Sequence, residues 1–166
     1  MRIRAAIADQ DGPDILRLYR LGVLSANAFP DDNIDDLERL ADHYLADGER
    51  SGFWLAEASI QDRSCVVGMV GVLHRGESVA EIRRLRVDPD HRMRGIGTRL
   101  MEQALSFCRD SGCLKVVLDT WIERAPAIAL FERFGFQLNR SRKVGEKTIV
   151  EFYIDLYREH DPGSVK

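Results

Sequence analysis

Cysteine is scarce in this chain and histidine is scattered. Cys65, Cys108 and Cys113 are odd in number and contain no C-x-x-C pair. His43, His74, His91 and His160 form no H-E-x-x-H or finger-like set. Neither a disulfide framework nor a structural zinc site is expected, and no metal is assigned. No apolar run approaches membrane-spanning length, and the start, MRIRAAIADQD, lacks a long apolar segment. The expectation is a soluble, cytoplasmic protein without a membrane partner. There is also no excess of cations. With 24 Lys and Arg against 27 Asp and Glu, the formal charge is -3, which argues against a general nucleic-acid binder.

The chain does have enough apolar sequence for a core. Its 166 residues, 45% hydrophobic and 31% charged, fit one domain, placed at residues 1–159, with a short tail at 160–166. No internal repeat, low-complexity segment or long linker divides it.

Periodicity orders the elements as β, α, α, three strands, α, β, α, two strands. RIRAAIA reads as a first strand. Asp11, Gly12 and Pro13 signal the start of a first helix. DDNIDDLERLADHYLADG reads as a second helix, with Ile34, Leu37, Leu40, Tyr44 and Leu45 at helical spacing. GFWLAEAS and CVVGMVGVLHR, joined by the polar IQDRS, form an expected antiparallel hairpin. AEIRRLRV follows as a strand, then a helix from about Gly97 to Cys108. LKVVLDTW is a buried strand, PAIALFERFGF a short helix, and FQLNRSRK and KTIVEFYIDLY close the chain. The fold class expected is mixed α/β, α+β-like. Its sheet of about six to seven mostly antiparallel strands has a parallel crossover and about four flanking helices.

The most informative stretch is RRLRVDPDHRMRGIGTRLMEQAL, residues 83–105. Ile82 and Leu85 are three residues apart whereas Leu85 and Val87 are two apart. This breaks strand parity, which either a β-bulge or an apolar residue on the opposite face would explain. Downstream, Ile96, Leu100, Met101, Ala104, Leu105 and Cys108 define one apolar helix face, so RMRGIGT holds the helix start. Amides without helical partners, the positive dipole end, glycines and arginines there suit a phosphate or pyrophosphate. Neither the P-loop nor the G-x-G-x-x-G fingerprint fits, since the required lysine and the third glycine, at Leu100, are missing.

RMRGIG, Arg92 to Gly97, resembles the [Q/R]-x-x-G-x-[G/A] signature of the GNAT superfamily of N-acetyltransferases. PAIALFERFGF resembles that family's second motif, A-x-x-L-Y-x-x-x-G-F, and the element order is similar over nearly the whole chain. The resemblance implies a GNAT fold and acetyl-CoA as co-substrate. It puts the pyrophosphate on the amides of Met93, Arg94, Gly95, Ile96, Gly97 and Thr98, with Arg92 and Arg94 either supplementing that site or facing solvent. It also implies that the backbone of Leu85, Arg86 and Val87 pairs with the pantetheine arm, and that this strand and LKVVLDT splay apart around the thioester.

Two positions depart from the pattern. Phe131 stands where the family has a tyrosine thought to protonate the leaving thiolate, and Arg124 stands where an asparagine often contacts the coenzyme. The expected reaction is direct attack by a primary amine of a small molecule, amino-acid derivative or protein. Glu81 is the candidate general base, against its being a solvated strand-end carboxylate. The Val87 amide is the oxyanion donor, and Tyr153 is a weak candidate acid. The acidic run Asp31, Asp32, Asp35 and Asp36 has two readings: attraction of a cationic acceptor, or ordinary helix N-terminal charge. The alternative function is a coenzyme-A-binding module that has lost catalysis. The last strands offer an edge for a homodimer.

Overall fold

A computed structural model describes residues 1–23 and 33–157. The elements are β1 (Arg2–Ala5), α1 (Ala8–Val23), α2 (Asp35–Glu38), a π-helical turn (Ala41–Leu45), β2 (Gly52–Ile60), β3 (Arg63–His74) and β4 (Val79–Val87). After a 3-10 turn (Pro89–His91) come α3 (Ile96–Asp110), β5 (Lys115–Trp121), α4 (Ala125–Arg133), β6 (Gln137–Val144) and β7 (Lys147–Asp155). The expected α/β class and element order are both present. The seven strands form one sheet in the order β1-β2-β3-β4-β5-β7-β6. Only β4 and β5 pair in parallel.

Local chemistry sets the turns. Gln61 and Asp62 both have positive φ, 48° and 62°, so the two-residue β2–β3 link has the primed-turn twist that suits a hairpin. Each sheet face carries its own core. Ile82, Val116, Leu118 and Phe152 pack with Leu100, Met101 and Leu105 of α3 and with Leu130 and Phe131 of α4. On the other face Phe53, Leu55 and Met69 meet Ile15 and Leu18 of α1 and Leu37 and Tyr44.

The close seat of α3 on the sheet depends on Gly68. A Cβ there would lie 2.9 Å from Leu100 Cδ1 and 3.1 Å from both Arg86 O and Ile96 Cγ2. Gly68→Ala therefore pushes α3 off β3. The expected cost is about 1–3 kcal/mol, read as a lower urea midpoint at unchanged slope.

Two boundaries differ from the sequence reading. α1 begins at Ala8, so Pro13 lies inside the helix rather than at its start. The cause is Asp11, whose buried carboxylate accepts from the Ile7 amide at 2.7 Å and takes a two-pronged ion pair from Arg4. The second helix is broken at Arg39 (φ -115°, ψ 50°) into α2 and the π-helical turn. In a continuous α-helix residues eight apart are separated by about 12 Å along the axis. The break instead lets the Tyr44 hydroxyl donate to Asp36 Oδ2 at 2.6 Å. Asp31, Asp32 and the tail at 160–166 lie outside the described residues.

Candidate active site

The site grows from one irregularity in β4. Met69 faces Arg86 and Gly71 faces Arg83, so Val70 is opposed by both Arg84 and Leu85. This is a β-bulge, and Arg84 carries it at φ 57°, in the left-handed region. Ile82 and Leu85, three apart, consequently both pack toward the α3 core. The bulge thus settles the parity question posed by the sequence.

A non-glycine residue in that conformation costs about 1–3 kcal/mol and persists only when its surroundings hold it there. Here the surroundings are a buried polar network. The Arg84 guanidinium, with its side chain 4% exposed, bonds Asp36 at 2.6 and 3.1 Å and Asn33 O at 2.6 Å. It also stands 5.7 Å from the centre of the Tyr19 ring. Burial alone would raise the Asp36 pKa, but the Arg84 and Tyr44 hydrogen bonds together hold it below the ordinary carboxylate range. The same burial, and then Asp36, raise the Tyr44 pKa.

The sheet opens just before the bulge. β4 and β5 pair only from Val79↔Lys115 to Glu81↔Val117, and no ladder joins them further on. The gap between residues 82–86 and 118–121 forms a cleft of about 330 Å³ that reaches Ala127 and Phe131 of α4. The β3–β4 ladder aims one amide toward this gap. Asp88 N donates to Val67 O at 2.8 Å, and antiparallel pairs alternate. Gly68↔Val87 is therefore the non-hydrogen-bonded kind, and the Val87 amide faces away from β3.

The helix that follows begins beside the gap. Gly95, at φ 75°, precedes α3, and the first helical bond runs from Arg99 N to Gly95 O. The amides of Ile96, Gly97 and Thr98 come before it and carry the positive dipole end. Met93, at φ 59°, and Gly95 curl the approach, and Arg92, Met93 and Arg94 are all exposed. Gly97 faces the inner wall, where a Cβ would meet Leu130 Cδ2 at 3.3 Å and Val87 Cγ2 at 3.8 Å. A splayed parallel pair and a helix start with unpaired amides thus lie near each other, Gly97 being within contact range of Val87.

The acetyltransferase (GNAT) family model matches residues 15–136, which span both halves of this arrangement. The chain belongs to the GNAT family. N-acetyltransferase 8 of Rattus norvegicus is 34% identical over 132 residues, 75% of this chain and 55% of its own length. The human N-acetyltransferase 8 is 36% identical over 107 residues, 61% of this chain and 45% of its own. The chain therefore spans about half the length of these relatives. Among solved structures, a GNAT-family acetyltransferase of Staphylococcus aureus Mu50 superimposes with a TM-score of 0.79 at 19% identity, covering 93% of this chain and 98% of its own. YncA of Salmonella typhimurium, solved with its cofactor acetyl-CoA, gives 0.75 at 21% identity over 99% of this chain and 98% of its own.

In this GNAT domain most of the residues singled out by sequence converge. Glu81, Leu85, Arg86, Arg124 and Phe131 line the cleft. Residues 92–98 lead into and begin α3, where Arg92 Nε donates to Val87 O at 3.4 Å; none of them lines the cleft. Phe131 is 5% exposed and packs against the Phe136 and Phe152 rings, each centred 6.2 Å away. Glu81 is held between two guanidiniums: Arg75 donates to one oxygen, and Arg83 Nε lies 3.6 Å from the other.

Tyr153 is not brought to the cleft. β7 sits between β5 and β6, and the Tyr153 hydroxyl donates across to Gln137 Oε1 on β6 at 3.0 Å. Of the acidic run, Asp36 is committed to Arg84, and Asp35 pairs with His43 at 2.9 Å and Arg39 at 3.7 Å.

The structure adds groups that sequence left in the background. Asp119 is on the cleft wall, with Trp121 two residues along β5. Crowding by protein atoms raises the Asp119 pKa, and the negative charge of Glu81 raises it further. Arg142, from β6, comes within 3.9 Å of Asp119. Their signal was faint, because it depends on which strands become neighbours.

Proposed function

We propose that this chain transfers an acetyl group from acetyl-CoA to a primary amine by direct attack within a ternary complex. The observation that carries this is the opening of β4 from β5 just after Glu81↔Val117, beside the start of α3. The residues present fit the coenzyme. The amides of Met93 to Thr98 would hold the pyrophosphate, with Arg92 and Arg94 adding charge. The backbone of Leu85, Arg86 and Val87 would pair with the pantetheine arm as an added strand does. Arg124 and Phe131 would flank the same arm from α4.

Bound acetyl-CoA supplies an activated thioester. The Val87 N–H would donate a hydrogen bond to the carbonyl oxygen as negative charge develops there. Glu81 takes a proton from the acceptor's ammonium group, directly or through water, and the neutral amine so formed attacks the thioester carbonyl. A thiol has a pKa of about 8.5, so the thiolate leaves readily without a protein acid, and Phe131 in place of tyrosine is tolerable. Direct transfer is favoured over a cysteine-bound intermediate because none of Cys65, Cys108 and Cys113 lines the cleft, and Cys108, its thiol pushed up to about 12, and Cys113, also raised, are buried.

The test is acceptor-dependent release of coenzyme A thiol across a panel of amines. Tight coenzyme binding with no transfer to any amine would instead mark the chain as a coenzyme-A sensor or partner domain. Glu81→Gln should lower turnover by about 10²-fold with acetyl-CoA affinity nearly unchanged. Asp119→Asn is the paired comparison. Normal turnover in Glu81→Gln together with a large loss in Asp119→Asn would move the base to β5.

A further inference from the structure

Building on that reading, we propose that the acceptor is an amino-acid-type zwitterion. Its amine is acetylated, and a carboxylate on the same molecule is received by Arg83 and Arg142. The charges on the cleft wall carry the inference. Among the described residues, the wall holds two carboxylates, Glu81 and Asp119, and is otherwise dominated by arginine. Arg84 is neutralised by Asp36, and Arg86 and Arg124 have interactions of their own within the protein. That leaves Arg75, Arg83 and Arg142 around the two carboxylates.

The pairings are incomplete in a useful way. Arg75 and Arg83 share the single carboxylate of Glu81, and the Arg83 contact is the longer of the two, at 3.6 Å. Arg142 reaches Asp119 only at 3.9 Å, with its side chain 60% exposed. A carboxylate entering the cleft can therefore take charge-assisted hydrogen bonds from Arg83 and Arg142 without stripping a tight partner from either. The donor does not account for this positive charge. Its phosphates belong at the α3 start with Arg92 and Arg94, and the thioester end that enters the cleft is uncharged.

The signs are also ordered along the strands. Glu81 stands at the closed end of the gap, opposite Val117, and Arg83 is two residues further toward the open end. Asp119 is two residues beyond Val117 on β5, and Arg142 pairs with Ile149 on the β6–β7 side. An ammonium near Glu81 and Asp119 thus has guanidiniums within the same small cleft. Trp121 and Ile149 complete the wall with apolar surface, which suits an uncharged side chain. A polyamine or a simple alkylamine would meet the same arginines with no anion to offer. Asp35 and Asp36 offer it little compensation, since both are already paired.

Matched acceptors test this: phenylalanine, phenylalaninamide, phenethylamine and spermidine, each assayed for acetyl transfer and for binding to the full chain saturated with coenzyme A. We expect the carboxylate-bearing acceptor to exceed its amide about tenfold or more in kcat/KM, with the difference in KM and in binding. Arg83→Gln and Arg142→Gln should each narrow the acid-to-amide ratio while acetyl-CoA affinity holds. Equal or better use of the amide, or variants that depress acid and amide alike, would overturn the assignment while leaving amine acetylation intact. Transfer to none of the panel or to any wider set of amines would instead remove the acetyltransferase reading, and this inference with it.

Discussion

Replacing Gly97 with glutamate should abolish measurable acetyl-CoA binding. Two effects act together. The added Cβ would lie 3.3 Å from Leu130 Cδ2, tighter than an ordinary contact, so the Leu130 side chain must give or α3 must shift away from α4. The carboxylate then sits among the Ile96, Gly97 and Thr98 amides, satisfying the donors that a pyrophosphate would use and repelling it. Hydrogen bonds to a charged partner are each worth about 1.5–3 kcal/mol, so losing two weakens binding by roughly 10²-fold or more. Calorimetric titration of acetyl-CoA reads the loss, and a thermal melt separates it from unfolding. Affinity within twofold of the parent would remove the anion site from the start of α3.

Asp36→Ala should be the most damaging single change to stability. It leaves the Arg84 guanidinium buried and charged without its carboxylate, and takes the acceptor from the Tyr44 hydroxyl. Breaking a buried pair from one side costs about 3–5 kcal/mol. It also removes what holds Arg84 at φ 57°, so the bulge and the cleft wall should relax along with the core. Denaturant unfolding measures the first effect, and a weaker acetyl-CoA affinity in the still-folded fraction measures the second. The pH dependence has a defined sign. The Asp36 pKa is depressed in the folded protein, so its contribution is present above the unfolded carboxylate value of about 3.9 and fades as pH falls below it. The Asp36→Ala protein should lose that part of its acid sensitivity. An unfolding free energy within about 1 kcal/mol of the parent would show that the network adds little.

The features most legible in sequence were those written in local spacing. The three-residue step from Ile82 to Leu85 pointed to the bulge, and the apolar face from Ile96 to Cys108 placed the start of α3 at the glycines. The polar IQDRS link announced a hairpin without needing any knowledge of its partners. Features set by distant pairing were not legible. Arg84 looks like one more arginine in RRLR, and only its partner 48 residues away, Asp36, makes it the pin of the bulge. Asp36 also takes the Tyr44 hydroxyl across the break in the second helix, which periodicity alone reads as continuous. Tyr153 is not among the cleft-lining residues because of its register on β7: it pairs with Val117 at the closed end of the gap, and its hydroxyl donates to Gln137, whereas Ile149, further along the same strand, reaches the cleft. Asp11 misled in the opposite direction. Beside Gly12 and Pro13 it looks like a helix start, yet Arg4 and the Ile7 amide draw it inside the first turn.

The central claim is that the gap between β4 and β5, with the start of α3, is where an acetyl group passes from coenzyme A to an amine. The most direct measurement is single-turnover transfer from labelled acetyl-CoA to an amine panel, run in parallel on the parent chain and Gly97→Glu. The account predicts labelled N-acetyl product from the parent, formed only when an amine is present, and none from the variant. Product formed equally by both, or coenzyme bound tightly by the parent with no amine acetylated, would contradict it.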